Sequence, residues 1–308
     1  MNNTNLQIVP TEYIVIRPPV EGASRSILIP VTGGCSWNRC VFCGTYKGMY
    51  GIIQNYAIRP IEDVLKDIDY YKEHNYDGHP VFLVGGNPTS APTKYLVEII
   101  KYVRKQIKNI PRVSCYAKAL DILRKSDDEL KQLAEAGLDI VYMGLESGSS
   151  KILRMMKKGT NAKSLIKAGK RVLKAGIKLS LYIILGLGGK KFSQEHVIET
   201  AKVLTEINPT VFRFRTLNIV PFSELWNKWK NNEFELLSPI ENLKEERDII
   251  ANLGHNVTSQ VFNDHLSNYC SIETPNIKLD REVFIKTLEN FINDSRIQNM
   301  QRTNLTRM

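Results

Sequence analysis

Strand-like and helix-like segments alternate along most of this chain from about Ser26 onward, at intervals of roughly thirty residues. This rhythm is typical of a parallel sheet whose strands are joined by helices. Six apolar segments have the length and composition of strands, at residues 27–31, 81–84, 112–116, 138–143, 178–185 and 211–217. Six such units predict an α/β fold, a partial (β/α)6 barrel similar to a TIM barrel, better than a two-layer Rossmann sheet.

The rhythm changes after residue 222. A charged helix around 241–253 and a last helix over about 281–293 are predicted there, and the tail 298–308 has the composition of a disordered terminus. We therefore predict three parts, namely an N-terminal extension 1–25, a barrel 26–222 and a small, mostly helical C-terminal appendage 223–308.

The unusual residue clusters of the chain all follow predicted strands. They are a group of three cysteines, a Gly-Gly-Asn-Pro segment, a Glu-Ser-Gly-Ser segment and a Gly-Leu-Gly-Gly segment. In a parallel barrel the carboxyl ends of the strands meet at one mouth, and active sites lie there. The clusters therefore predict a single site at that mouth.

Three of the five cysteines fall within nine residues, and Cys35, Cys40 and Cys43 are spaced Cys-x4-Cys-x2-Cys. Structural zinc prefers four protein ligands, whereas an iron–sulfur cluster can leave one iron to a small molecule. The spacing therefore predicts a 4Fe–4S cluster. The alternative is a zinc knuckle that recruits Cys115 or a histidine as its fourth ligand. Thiolate ligands need a reducing compartment, so we expect the cytoplasm.

The cysteine segment resembles the signature of the radical SAM superfamily, which is Cys-x3-Cys-x2-Cys with an aromatic residue before the last cysteine. Phe42 fills the aromatic position, and one extra residue separates Cys35 from Cys40. The resemblance covers about two thirds of the chain and is nearest to oxygen-independent coproporphyrinogen oxidase and the tRNA methylthiotransferases. It implies a 4Fe–4S cluster on the three cysteines and bound S-adenosylmethionine. Phe42 would then face the adenine, or would anchor the loop in the core.

The resemblance also implies that glycine-rich strand ends contact the cofactor. Gly85, Gly86 and Asn87 would meet the amino and carboxylate groups of S-adenosylmethionine, because missing side chains let the backbone approach a ligand. Gly186 would offer backbone contacts to the adenine. A tight βα turn is the alternative reading of the first segment.

Charged residues at two other strand ends are further predicted ligands. Glu146 and Lys158 lie in a segment similar to one of the tRNA methylthiotransferases, where a glutamate and a basic residue contact polar groups of the cofactor. A helix cap or an ion pair is the alternative for Glu146. Arg213 and Arg215 share one strand face, and they bind substrate or cofactor if that face is the barrel interior. His265 is either a proton-handling group near the mouth or a structural histidine.

Amino-acid composition limits the possible functions less than the motifs do. The formal net charge of +10 is compatible with RNA or a phosphate-bearing substrate, but lysines spread over helix faces are the favoured explanation, because the sequence has no dense basic block with interleaved aromatic residues. No apolar run is long enough to span a membrane.

The resemblance implies an enzyme in which one-electron reduction of S-adenosylmethionine yields a 5′-deoxyadenosyl radical that abstracts hydrogen from a substrate. We expect a small or medium organic substrate and a one-electron donor such as flavodoxin or ferredoxin. A second cysteine cluster and a cobalamin-type Asp-x-His-x-x-Gly motif are missing, which disfavours sulfur insertion and cobalamin-dependent methyl transfer. The alternatives are radical modification of a tRNA base and a non-catalytic zinc- or cluster-bearing RNA-binding or sensor protein.

Overall fold

The computed structural model of this chain describes residues 26–48 and 54–300. The predicted N-terminal extension 1–25 and residues 301–308 of the predicted disordered tail lie outside these ranges. No helix in the described part of the chain is long and apolar enough to cross a membrane.

The strands are short and mostly buried. In chain order they are β1 (Ile27–Pro30), β2 (Thr32–Gly33), β3 (Ala57–Ile58), β4 (Val81–Val84), β5 (Val113–Ala117), β6 (Ile140–Glu146), β7 (Lys178–Leu185), β8 (Val211–Thr216), β9 (Gln260–Phe262) and β10 (Glu273–Thr274).

The helices lie between these strands and after the last of them. They are α1 (Ile61–Glu73), α2 (Thr93–Gln106), α3 (Ala119–Arg124), α4 (Asp127–Ala136), α5 (Ser150–Met155), α6 (Ala162–Lys174), α7 (Gly189–Ile207), α8 (Glu224–Lys230), α9 (Pro239–Ala251), α10 (Ile277–Asn293) and α11 (Ser295–Gln298). Sequence signals explain their ends. For example, Ser126 and Glu129 form a capping box at the start of α4, and Gly137 ends this helix in the left-handed conformation.

Eight of the described strands form one sheet in the order β1, β4, β5, β6, β7, β8, β9, β10. The first six are parallel to one another and repeat the βα unit. The predicted α/β fold with six βα units is therefore confirmed, and each strand begins at its predicted start or within two residues of it. Because β1 and β10 lie at opposite ends of the order, the sheet is not closed by strand pairing within the described residues.

The two faces of the sheet have different partners. Outward-facing residues such as Val141, Leu181 and Phe212 join the main hydrophobic core, which the helices cover. Inward-facing residues form a second, aromatic cluster that includes Phe82 and Tyr142. A side chain's strand position therefore decides whether it packs in the core or faces the barrel interior.

The C-terminal segment adds to the barrel sheet as well as covering it. β9 pairs in parallel with β8, and β10 pairs antiparallel with β9. These strands have three residues and two residues, too short to show a period in the sequence. Helices α8 to α11 supply the predicted helical content. The domain boundary at residue 222 stays a prediction.

A buried carboxyl group fixes this segment. Glu246 of α9 is 1% exposed, and the Asn263 side-chain amide donates to both of its oxygens at 2.7 Å. Burial raises the pKa of Glu246 to about 8, although the hydrogen bond from Asn263 opposes the rise.

We predict that this group makes the fold less stable as the pH rises. The folded protein keeps the proton of Glu246 up to about pH 8, whereas the unfolded chain loses it near its ordinary pKa of 4.5. The free energy of unfolding should therefore fall between these two pH values. In urea unfolding, the free energy of unfolding of Glu246→Gln should decrease less over this pH range than that of the wild type. The exposed control Glu98→Gln should keep the wild-type pH dependence, and the same dependence in both variants would contradict the assignment.

Candidate active site

The cysteine loop and the Gly-Gly-Asn segment leave neighbouring strands, β1 and β4, at the same edge of the sheet. The backbone N–H of Gly86 donates to the carbonyl of Gly34 at 2.9 Å. A Cβ atom on Gly86 would lie 2.6 Å from Cβ of Cys35, so only glycine permits this approach. Gly85 lies in the same way against Thr32. The structure thus brings the first cysteine and the two predicted glycines together.

The Asn87 side chain binds the cysteine loop through hydrogen bonds to Ser36. Its side chain is fully buried, its oxygen accepts from the Ser36 N–H at 3.0 Å, and its nitrogen donates to the Ser36 hydroxyl at 2.7 Å. The same nitrogen donates to Asp121 at 2.6 Å. Both ends of the amide therefore bind the protein itself. Its role as a cofactor ligand stays a prediction.

The three clustered cysteines are partly exposed and form no disulfide. Burial raises the pKa of the Cys40 thiol to about 11; Lys158 opposes the rise, and Cys43 and Cys35 add to it. No group of three or more His, Cys, Asp or Glu side chains in residues 26–48 and 54–300 is arranged to hold a metal ion. The donor set itself suits an iron–sulfur cluster, in which each thiolate binds a separate iron and one iron stays open.

Cys115 lies away from the three clustered cysteines. It lies on the opposite face of β5 from Tyr116 and is buried in the main core, so the fold gives it a packing role.

Phe42 is half-buried beneath the loop. It packs against a small apolar cluster that includes Val41, Met156 and Leu187. The loop is further tied down because the Val41 N–H donates to the Met156 carbonyl at 2.9 Å. The ammonium of Lys158 lies 5.9 Å from the centre of the Phe42 ring. Phe42 therefore anchors the loop, and its contact with adenine stays a prediction.

An ion pair joins the two charged residues that the sequence singles out. The Lys158 ammonium lies 2.5 Å from a carboxylate oxygen of Glu146, and both side chains are largely buried. Glu146 adopts a left-handed backbone (φ 60°), and a Cβ on Gly144 would lie 2.1 Å from its carboxylate. Burial lowers the pKa of Lys158, but the charge of the Glu146 carboxylate and the hydrogen bond to it outweigh burial and leave the pKa raised. The lysine is therefore charged.

The extra residue of the cysteine segment lies in a stretch that carries Trp37. The indole N–H donates to the carbonyl of Lys157 at 2.7 Å, and the ring packs against Gly159. Arg39 and Lys118 lie over the same ring, 5.4 and 5.1 Å from its centre. Trp37 thus fixes the turn that presents Lys158.

Gly186 lies at the end of β7 with φ 77°. Its N–H donates to the buried carboxyl of Glu245 at 2.5 Å, and its carbonyl accepts from Gly189 at 3.0 Å. Burial raises the pKa of Glu245 to about 7. The strand end is thereby attached to α9, and contact between Gly186 and adenine stays a prediction.

Arg213 and Arg215 face the barrel interior. Phe212 and Phe214 alternate with them along the strand and belong to the main hydrophobic core on the other face of the sheet. Arg213 pairs with Asp264 at 2.6 Å, and the Arg215 guanidinium lies 4.7 Å from the centre of the Tyr182 ring. The sequence left open whether these two arginines face the barrel interior or the outside, and the structure places them in the interior. Whether they bind a ligand stays a prediction.

The polar segment after β9 closes over the end of β8. Asn268 accepts from the Thr216 N–H at 2.7 Å and donates to the Phe214 carbonyl at 2.9 Å. His265 lies beside this contact, with Nδ1 2.8 Å from the Ser267 hydroxyl. Burial lowers the pKa of His265 to about 4, and Arg215 adds to the effect. The imidazole is therefore neutral at pH 7.

Sequence reasoning missed several residues of this region. Lys118 follows β5, and burial lowers the pKa of its ammonium although Asp121 and Cys35 oppose the change. Tyr46 is 3% exposed, and its hydroxyl has no hydrogen-bond partner among the described residues. Tyr182 is buried on the inner face of β7. The positions of Lys118 and Tyr182 at or in strands could have indicated them, whereas Tyr46 is marked only by its place in the glycine- and tyrosine-rich stretch after the cysteines, which is expected to cover the metal.

Comparison with known proteins decides the family of this site. The family model described as the Radical SAM superfamily matches residues 29–204, which is more than half of the chain. The chain belongs to the radical SAM superfamily. The prediction drawn from the cysteine motif is therefore confirmed, in spite of the extra residue before Cys40.

Relatives and solved structures agree with this assignment. An uncharacterized protein of Methanocaldococcus jannaschii is 25% identical over 72% of this chain and 68% of its own length. The tRNA-2-methylthio-N(6)-dimethylallyladenosine synthase of Sulfurihydrogenibium is 26% identical over 64% of this chain and 45% of its own length. Coproporphyrinogen III oxidase from Escherichia coli superposes with a TM-score of 0.53 at 17% identity, over 73% of this chain and 51% of that one. The chain thus spans about half the length of the last two proteins.

Family membership establishes the general chemistry. Radical SAM proteins are enzymes that bind a 4Fe–4S cluster and S-adenosylmethionine, and they need a reductant and a substrate. The similar fold of the coproporphyrinogen oxidase also supports the predicted partial barrel.

We predict that Asn87→Ala lowers the free energy of unfolding by about 1–3 kcal/mol, because it leaves the Asp121 carboxylate and the Ser36 N–H without their buried partner. Urea unfolding measures this change. The exposed control Asn256→Ala should have little effect. Equal stability of the two variants would show that Asn87 does not hold the loop.

Proposed function

We propose that this radical SAM enzyme abstracts hydrogen from a small or medium organic substrate bound in the barrel interior. The observation that carries the proposal is the convergence of the cysteine loop, the Gly-Gly-Asn segment and the Glu146–Lys158 pair at one edge of the sheet. When bound, the cluster and S-adenosylmethionine supply a one-electron reductive cleavage that generates the 5′-deoxyadenosyl radical.

In this proposal Cys35, Cys40 and Cys43 hold the cluster and leave its fourth iron to the cofactor. The backbone at Gly85 and Gly86 offers close approach beside Cys35. These assignments rest on the donor types and on their shared position.

The charged pair orients the cofactor. Lys158 offers a charged donor 5.9 Å from the centre of the Phe42 ring in the cysteine loop, and the ion pair with Glu146 fixes its position. The carboxylate and amino groups of S-adenosylmethionine match these charges, and charge-assisted hydrogen bonds are the stronger kind. Phe42 and Gly186 would border the adenine, with Phe42 anchored in the apolar cluster beneath the loop.

The interior suits an organic molecule. Phe82, Tyr116, Tyr142 and Tyr182 line it, and Arg213 and Arg215 of β8 lie on the same face. Such a surface excludes water and binds apolar groups, with a few polar side chains for orientation. Thiolate ligands to a reduced cluster also favour a reducing compartment such as the cytoplasm and a donor such as flavodoxin or ferredoxin.

The first test is product formation by the reconstituted enzyme. We predict that anaerobic reconstitution with iron and sulfide, followed by dithionite and S-adenosylmethionine, yields 5′-deoxyadenosine. Cys40→Ala should lose both the cluster absorbance and the product, whereas Cys115→Ala should keep both, since Cys115 packs in the core. A wild-type protein that contains one zinc per chain and forms no 5′-deoxyadenosine would favour the non-catalytic alternative.

The second test concerns the ion pair. We predict that Lys158→Gln raises the dissociation constant of S-adenosylmethionine about 10-fold to 100-fold, because a charge-assisted contact is lost. Lys158→Arg should keep most of the affinity. The control is Lys157→Gln, an exposed neighbour paired with Glu224. Equal affinity of Lys158→Gln and wild type for S-adenosylmethionine would exclude Lys158 as a ligand.

A tRNA base is the second candidate substrate. Similarity to a tRNA-modifying synthase and the net charge of +10 favour it, and α6 presents basic residues on its surface, including Lys163, Lys167, Lys170 and Lys174. Binding of tRNA with an affinity that falls steeply with salt would support this candidate.

A further inference from the structure

The guanidinium of Arg215 lies in the barrel interior without an ion pair to any of the residues that the structure describes. Arg215 is half-buried and stacks on Tyr182, yet it makes no hydrogen bond or ion pair with any residue in the described ranges. Its neighbour Arg213 differs, because it pairs with Asp264. A guanidinium carries five N–H donors, and leaving a half-buried charge without a partner is costly. Arg215 is therefore free to bind a ligand.

Two other donors lie beside it. The Tyr182 hydroxyl is buried and has no hydrogen-bond partner among the described residues. Nδ1 of His265 accepts from the Ser267 N–H at 3.1 Å, so the neutral ring carries its proton on Nε2. His265 follows Asp264, which pairs with Arg213, and its segment also binds the Phe214 carbonyl through Asn268, so the imidazole lies against the strand that carries Arg215. The positive charge of Arg215 also lowers the pKa of His265. The nearby carboxylate, Asp264, is engaged by Arg213.

We propose that Arg215, Tyr182 and His265 bind an anionic group of the substrate, a carboxylate or a phosphate. A positive charge and two neutral donors, with no uncommitted carboxylate among the residues identified around them, match an anion with several oxygen acceptors. This inference rests on the proposed function, since it assigns the ligand of the barrel interior to the substrate.

The surroundings describe the rest of the substrate. Phe82, Tyr116 and Tyr142 are in mutual ring contact next to Tyr182 and offer an aromatic wall for an apolar body. Tyr116 lies two residues before Lys118, whose ammonium is 5.1 Å from the centre of the Trp37 ring, so the wall ends beside the cysteine loop. An organic anion held by Arg215 would therefore present its body in the direction of the cofactors.

The test is calorimetric titration of the reconstituted enzyme, with S-adenosylmethionine bound, by benzoate, phenyl phosphate and the neutral benzyl alcohol. We expect at least one anion to bind more tightly than the alcohol, and Arg215→Gln to weaken it about 10-fold to 100-fold. Arg215→Lys should recover part of this affinity. Tyr182→Phe, which preserves the packing, should weaken the anion by a smaller factor. The exposed control Arg124→Gln should bind like the wild type.

Binding of benzoate alone or of phenyl phosphate alone supports the proposal and tells a carboxylate from a phosphate. The proposal is overturned if neither anion binds, if benzyl alcohol binds as tightly, or if Arg215→Gln retains the wild-type anion affinity. An equal loss of affinity for S-adenosylmethionine in Arg215→Gln would also overturn it, because Arg215 would then be a cofactor ligand. Failure to form 5′-deoxyadenosine counts instead against the proposed function, and the anion titrations are read independently of that product.

Discussion

The ion pair between Glu146 and Lys158 is the interaction on which the site depends. It joins the end of β6 to the turn after α5, and this turn holds the cysteine loop through Trp37 and through the backbone of Met156. A largely buried pair of charges costs desolvation, and removing one partner of such a pair destabilises a protein by about 3–5 kcal/mol. The pair thus links two parts of the fold and also places a charge beside Phe42 of the cysteine loop.

Much of this arrangement could be predicted from the sequence, because it depends on strand positions. Six apolar segments predicted the parallel strands, and the carboxyl-end rule brought their terminal clusters together. The period of two in a strand predicts that Arg213 and Arg215 share a face. Only the burial of Phe212 and Phe214 in the main hydrophobic core shows that this shared face is the barrel interior.

Other features depend on contacts between residues distant in the chain and could not be predicted. The buried side-chain amide of Asn87 donates a hydrogen bond to Asp121, and the N–H of Gly186 donates one to Glu245 on α9. The two-residue and three-residue strands of the C-terminal segment have no sequence period, so their addition to the sheet is visible only in the structure. The contacts of Trp37 explain how a longer cysteine segment is accommodated, since the indole rests on the turn beside Lys158.

The most direct measurement is electron paramagnetic resonance of the anaerobically reconstituted and reduced protein, with and without S-adenosylmethionine. We expect the signal of a 4Fe–4S cluster that changes when S-adenosylmethionine is added, because the cofactor would bind the iron that Cys35, Cys40 and Cys43 leave open. A cluster signal that S-adenosylmethionine leaves unchanged, or a protein that binds zinc and gives no cluster signal, would contradict it.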